Sequence, residues 1–206
     1  MLEFYYGVGT CALASHIALE EAGVQYNAHR VDMEANQQNS PEYLAINPKG
    51  RVPALVTDQG VLTETPAILA YIAQTFPKAN LAPVNDPFAF AQVQSFNSYL
   101  CSSVHIAHSH KGRGARWASE ESSLEDMKRK VPENMRACVA MIEQNMLRGP
   151  WVMGESYTIC DPYLFTFGNW AKADGVDLAE FPKVSAHRER MKERPAVQKV
   201  LDREKA

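Results

Sequence analysis

The stretch Asn47-Pro48-Lys49-Gly50-Arg51-Val52-Pro53-Ala54-Leu55 decides how this chain is read. Proline cannot donate to a ladder, so Pro53 directly ahead of an apolar, β-prone run belongs at the start of a strand, residues 52–57. Asp58-Gln59-Gly60 then turns the chain into a second strand over 61–64. Toward the N-terminus, residues 2–6 form another β-rich run closed by Gly7 and Gly9. Over 11–22, Leu13, Ile17, Leu19 and Ala22 recur at helical spacing, and Gly23 stands where a C-terminal cap belongs. Residues 24–31 read as a strand with polar alternation, 43–47 as a partial helical turn. Toward the C-terminus, 65–76 returns to helical spacing through Ile68, Leu69, Tyr71 and Ile72. The order β-α-β-(α)-β-β-α predicts an α/β unit with a mixed sheet.

Pro77, Pro83 and Pro87, with Asn80 and Asn85, break that pattern, and no convincing strand follows them. Helical stretches are expected over 87–111, 120–147, 158–173 and 183–194, with Pro195 opening another at its first turn. The domain expectation is an α/β unit over 1–80, a linker over 81–87 and an all-α unit over 88–206. A chain of 206 residues is long enough for two such cores. Hydrophobic residues at 46% and charged residues at 22% are ordinary for a globular protein, and a net charge of -3 offers no basic field for nucleic acid or anionic lipid. No apolar run approaches the ~20 residues needed to span a bilayer, and no secretory signal is visible, so a cytoplasmic location is expected. Cys11, Cys101, Cys138 and Cys160 are too scattered for a zinc or disulfide framework; all except Cys11 are expected as small core residues.

Three places carry chemistry. Cys11 follows the Gly9-Thr10 turn at a helix start, where unpaired N–H groups and the helix dipole favour a thiolate or a bound anion. If the Val52–Pro53 peptide is cis, the Val52 N–H and C=O turn outward and can pair with an extended peptide. Glu64-Thr65 runs from a strand end into a helix, where a carboxylate and a hydroxyl either cap the helix or hold an ammonium and a carboxylate. The segment from Thr158 to Asp161 fits a structural N-cap box, and Trp117, Trp151 and Trp170 read as packing residues. His105 and His108 lie one turn apart, but no neighbouring carboxylate or cysteine completes a metal-binding face, so no metal is expected. Lys111, Arg113 and Arg116 read first as solvated surface, with attraction of acidic substrates as the alternative.

Together, Cys11 after the first strand, Asn47 to Leu55 with its Val-Pro, and Glu64-Thr65 at a helix start resemble the glutathione site of cytosolic glutathione transferases. The runs Cys11 to Gly23 and Ala45 to Gly50 resemble the bacterial beta class most closely, and Tyr157 to Phe165 resembles the family's capping segment. The resemblance implies a thioredoxin-like N-terminal domain, an all-helical C-terminal domain, a homodimer, and glutathione as cosubstrate. It places Cys11 near the glutathione sulfur, Val52 and Pro53 at its cysteinyl moiety, and Glu64 and Thr65 at the γ-glutamyl end. It also assigns catalysis to Cys11 and His105, with Ser102 as a further polar contact. The lysine that commonly meets the glycyl carboxylate is missing, and Asn36 is a weak substitute. Transfer of glutathione to a small electrophile is the expected activity, with thiol–disulfide exchange through Cys11 beside it. The alternatives are a non-catalytic carrier of glutathione or apolar ligands, and a glutathione-dependent isomerase or dehalogenase.

Overall fold

The structure of the chain, a computed structural model, describes residues 1–205. Four strands, β1 (Leu2–Tyr6), β2 (Tyr26–Arg30), β3 (Ala54–Thr57) and β4 (Gly60–Thr63), make one sheet in the order β2-β1-β3-β4. β1 pairs parallel to β2 and antiparallel to β3, and β3 pairs antiparallel to β4. Parallel pairing of β1 and β2 requires a crossover, which α1 (Ala12–Glu21) supplies. Its residues Ala12 through Leu19 are all buried, so it is a helix covered on every side rather than an amphipathic one. The chain leaves α1 through Gly23 at φ 66°, whose N–H reaches the Glu20 carbonyl at 3.1 Å. That is the left-handed exit glycine makes cheaply.

A short α2 (Pro41–Leu44) precedes β3, and α3 (Thr65–Thr75) follows β4. Six further helices follow: α4 (Pro87–Tyr99), α5 (His105–Arg113), α6 (Glu121–Met141), α7 (Cys160–Trp170), α8 (Pro182–Lys192) and α9 (Pro195–Lys205). The fold is therefore a thioredoxin-like unit with a mixed sheet followed by a helical unit, as the element order anticipates. No helix among the described residues is long and apolar enough to cross a membrane.

Two features join the halves. Leu13 and Ile17 of α1 pack with Phe165, Met191, Val197 and Val200 into a small separate core. Beside it the buried His16 Nδ1 meets Glu204 Oε1 of α9 at 3.0 Å. The expected box at α7 is present: the Asp161 carboxylate, fully buried, accepts from the Thr158 N–H at 2.6 Å and the Val152 N–H at 2.8 Å. His187 Nε2 of α8 lies 2.9 Å from the same carboxylate, so one side chain ties together a loop, a helix start and a neighbouring helix. Between α4 and α5, Leu100–Val104 widens to a π-helical turn. Such turns gather at functional sites, and this one bears on the cavity described next.

Candidate active site

The two units enclose a cavity of about 300 Å³. From the thioredoxin-like side come Cys11, Gln38, Arg51, Val52, Pro53, Glu64 and Thr65. From the helical side come Cys101, His105, His108, Arg113, Arg116, Trp117, Tyr163 and Trp170. Trp170 Nε1 donates to the Gly9 carbonyl at 3.0 Å and so bridges the two sides at the turn before α1.

On the first side the backbone sets the geometry. The Val52–Pro53 peptide is cis. The Val52 carbonyl accepts from Cys11 Sγ at 3.6 Å, and the Val52 N–H has no hydrogen-bond partner among the described residues. Tyr43 Oη and Asn47 Nδ2 both donate to the Arg51 carbonyl, at 2.7 and 2.6 Å, and pin the segment that leads into Val52. Glu64 adopts φ 74°, uncommon for a residue with a side chain, at the entry to α3, and Thr65 behind it is buried. Lys49 Nζ ion-pairs with Glu64 and donates to Thr63 Oγ1 at 2.7 Å.

Cys11 differs from the sequence expectation. It precedes α1 but its sulfur makes no bond to the helix N–H groups. Thr10 Oγ1 accepts from the Ala12 N–H instead, at 3.2 Å. Burial pushes the Cys11 thiol up, and the Thr65 hydroxyl and the Arg113 charge offset this only in part. At rest Cys11 is a thiol donating to a carbonyl, not the thiolate that a helix start alone would favour.

On the second side, His105 packs its ring against Phe167 and Trp170, with centroids 5.7 and 5.5 Å away. Burial, helped by the charges of His108, Arg113, Arg51 and Arg116, holds its imidazole down to about 4. It is neutral at neutral pH, a hydrogen-bond partner and a poor base. His108 stacks on Trp170 at 4.1 Å and meets Asp174 Oδ2 at 2.7 Å, and Lys111 shares that carboxylate. The Tyr163 hydroxyl stays protonated because burial drives it well above its ordinary range.

Two expected contacts are not brought in. Ser102 is exposed and its Oγ donates to the Ser98 carbonyl at 2.8 Å. The π-turn spreads residues three apart further around the axis than an α-helix does, so Ser102 does not share the face of His105. Asn36 sits at φ 57° and its Oδ1 accepts from Gln38 Nε2 and Asn39 Nδ2, at 2.8 and 2.7 Å, which closes the turn on itself. Gln38 lines the cavity in its place, with Oε1 buried and unpartnered. Cys101, Trp117 and Trp170, expected as packing residues, line the cavity as well. Tyr163, Gln38 and Arg51 also line the cavity and carry no mark in the sequence, where the Tyr-Leu-Phe run after Asp161 signals packing only.

Residues 2–74 match the family described as "Glutathione S-transferase, N-terminal domain", and residues 110–204 match "Glutathione S-transferase, C-terminal domain". Glutathione S-transferase GstA of Escherichia coli O157:H7 is 34% identical over 206 residues, 98% of each chain. A solved glutathione transferase homologue from Sulfitobacter, with bound glutathione, is 49% identical and superposes with a TM-score of 0.95 over 98% of both chains. The beta-class glutathione S-transferase of Sphingomonas chungbukensis is 31% identical, with a TM-score of 0.85 over 98% of both chains.

Proposed function

Because the chain belongs to the glutathione S-transferase family, we propose that it binds glutathione along the thioredoxin-like wall of the cavity and transfers it to a small electrophile held by the helical wall. One observation carries this reading. The unpartnered Val52 N–H, the Cys11 sulfur and the Glu64-Thr65 entry to α3 face a single cavity. An extended tripeptide meets its cysteinyl backbone at Val52 and its γ-glutamyl ammonium and carboxylate at Glu64 and Thr65. Its glycyl carboxylate accepts from the Arg51 guanidinium, with the second Nε2–H of Gln38 beside it, in the role expected of Asn36. The same family membership supports a homodimer and a part in detoxification, and Pro53 fixes the peptide plane beside the tripeptide.

The sulfur of glutathione then lies by Cys11 and His105. An unperturbed thiol near 8.5 is mostly protonated at neutral pH, and each unit of lowering raises thiolate about tenfold until saturation. Here the lowering comes from donors and field. The neutral His105 ring N–H and the Cys11 S–H donate to the forming thiolate, and the guanidinium group of Arg51 adds positive potential. His105 acts as a donor rather than a base, because an imidazole held at about 4 takes up a proton too weakly at neutral pH. The thiolate forms the carbon–sulfur bond, the leaving group departs with its electron pair, and the thiol proton passes to solvent.

Two thiols on one cavity, Cys11 and Cys101, favour disulfide exchange as a second use of the same site. Cys11, once its thiol gives up its proton, attacks glutathione disulfide, forms Cys11–S–S–glutathione and releases a glutathione thiolate, with glutathione disulfide as the oxidant consumed. Calorimetry with glutathione tests the main reading, and absence of any heat of association would refute it. Replacing Cys11 by Ala separates the chemistries: conjugation is expected to survive while exchange is lost.

A further inference from the structure

Resting on the placement of glutathione along the thioredoxin-like wall, we infer that the acceptor substrate is an anion, an apolar electrophile bearing a carboxylate, sulfonate or phosphate that Arg113 and Arg116 bind. The chain carries a net charge of -3, yet its cavity is cationic. Arg51, Arg113 and Arg116 line it against a single carboxylate, Glu64, and Lys49 already holds that carboxylate. Neither Arg113 nor Arg116 has an ion-pair or side-chain hydrogen-bond partner among the described residues. Elsewhere the guanidinium groups of Arg129, Arg136, Arg188 and Arg194 each sit on a carboxylate. Asp174, the acid behind the cavity residue His108, is taken by His108 and Lys111.

The clustering is costly as it stands. The Arg116 guanidinium is pulled down by burial and by the charges of Arg51 and Arg113 beside it. Like charges converging on a cavity without a counter-ion raise the free energy of the empty site, and a bound anion offsets that. With Arg51 engaged by the glycyl carboxylate, Arg113 at the end of α5 and Arg116 in the following Gly114–Arg116 turn remain for the second substrate. A guanidinium fork matches a planar carboxylate or a phosphate through paired N–H donors. Two apolar surfaces complete the subsite: Trp117 is 45% exposed and Ile106 38%, both on the cavity. The arrangement fits a flat body with an anionic end.

The test compares 1-chloro-2,4-dinitrobenzene, which is neutral, with 4-chloro-3-nitrobenzoate, an anion, each rate divided by its uncatalysed reaction with glutathione. The step is the same for both: a carbon–sulfur bond forms and chloride leaves. The benzoate is expected to show the larger enhancement, by about tenfold, and added salt is expected to narrow the gap. The double variant Arg113→Gln/Arg116→Gln is expected to raise the KM for the benzoate about tenfold and bring the ratio near one, while the calorimetric Kd for glutathione moves less than about twofold. Quenching of tryptophan fluorescence by 4-chloro-3-nitrobenzoate without glutathione is expected in the parent protein and lost in the double variant. A parent ratio near one, or an equal loss on both acceptors, would overturn the inference and leave the arginines as solvated surface. A glutathione Kd weakened about tenfold with the ratio intact would also overturn it, by giving the arginines to the tripeptide. Should the parent protein take up no glutathione at all, that reading fails separately, and the quenching measurement still decides the anion site.

Discussion

The two walls of the cavity are built by different means. The thioredoxin-like wall presents backbone and short side chains at the ends of regular elements: Val52 ahead of β3, Glu64-Thr65 at the start of α3, Cys11 at the start of α1. The helical wall presents long side chains, His105, Arg113, Arg116, Trp117 and Trp170, from α5, the turn after it and α7. The first wall suits a ligand that is always the same peptide, because backbone positions tolerate change in the residues behind them. The second can be recast one side chain at a time without disturbing the sheet, which is where acceptor choice belongs.

The sharpest way to break the contrast is to loosen the helical wall at its anchor. Asp161→Ala removes the acceptor of two buried backbone N–H groups and of His187, and is expected to cost about 3–5 kcal/mol. Urea unfolding measures it, and a loss below 1 kcal/mol would mean the anchor is redundant. Next comes acid sensitivity. Unfolded, His105 takes its proton at the ordinary value near 6.5; folded, it does not until about 4. As pH falls through 6.5 the unfolded state therefore binds the extra proton, and stability present at neutral pH is lost. Relative to His105→Gln, the parent protein should lose about 2 kcal/mol more between pH 7 and pH 5. Parallel stability curves for the two would show the imidazole titrating normally in the fold.

A third measurement addresses the opposite wall. Glu64→Gln keeps the shape of the proposed γ-glutamyl subsite but removes its charge, and should weaken glutathione about tenfold in calorimetry. Conjugation measured at saturating glutathione should change far less, and an unchanged Kd would place the ammonium elsewhere. The smallest effect is expected at the seam. Trp170→Phe keeps the aromatic packing but deletes the bond to the Gly9 carbonyl, at about 1 kcal/mol of stability.

The difference between the walls also explains what could be read in advance. Strand and helix periods are local, so the order of the sheet unit and the position of its turns follow from neighbours in the chain. The Val-Pro pair and the Glu64-Thr65 helix start are punctuation of the same local kind. Ser102 fails because a π-turn rotates it off the cavity, and nothing in Leu-Cys-Ser-Ser-Val marks that turn. Asn36 fails because a left-handed turn spends its amide on Gln38 and Asn39.

By itself, then, the chain of residues dictates an α/β unit followed by helices, and singles out Cys11, Val52, Glu64 and Thr65, which the fold sets on one cavity. Only tertiary structure decides the state of those groups. Burial raises the Cys11 thiol and lowers the His105 imidazole, and groups far along the chain contribute to both, Thr65 and Arg113 at Cys11 and Arg51 at His105. Likewise, the convergence of Arg51 with Arg113 and Arg116 needs the sheet unit and the helices to meet. Charge and desolvation act through space over a few ångströms, and sequence distance carries no record of that proximity until the cores have packed.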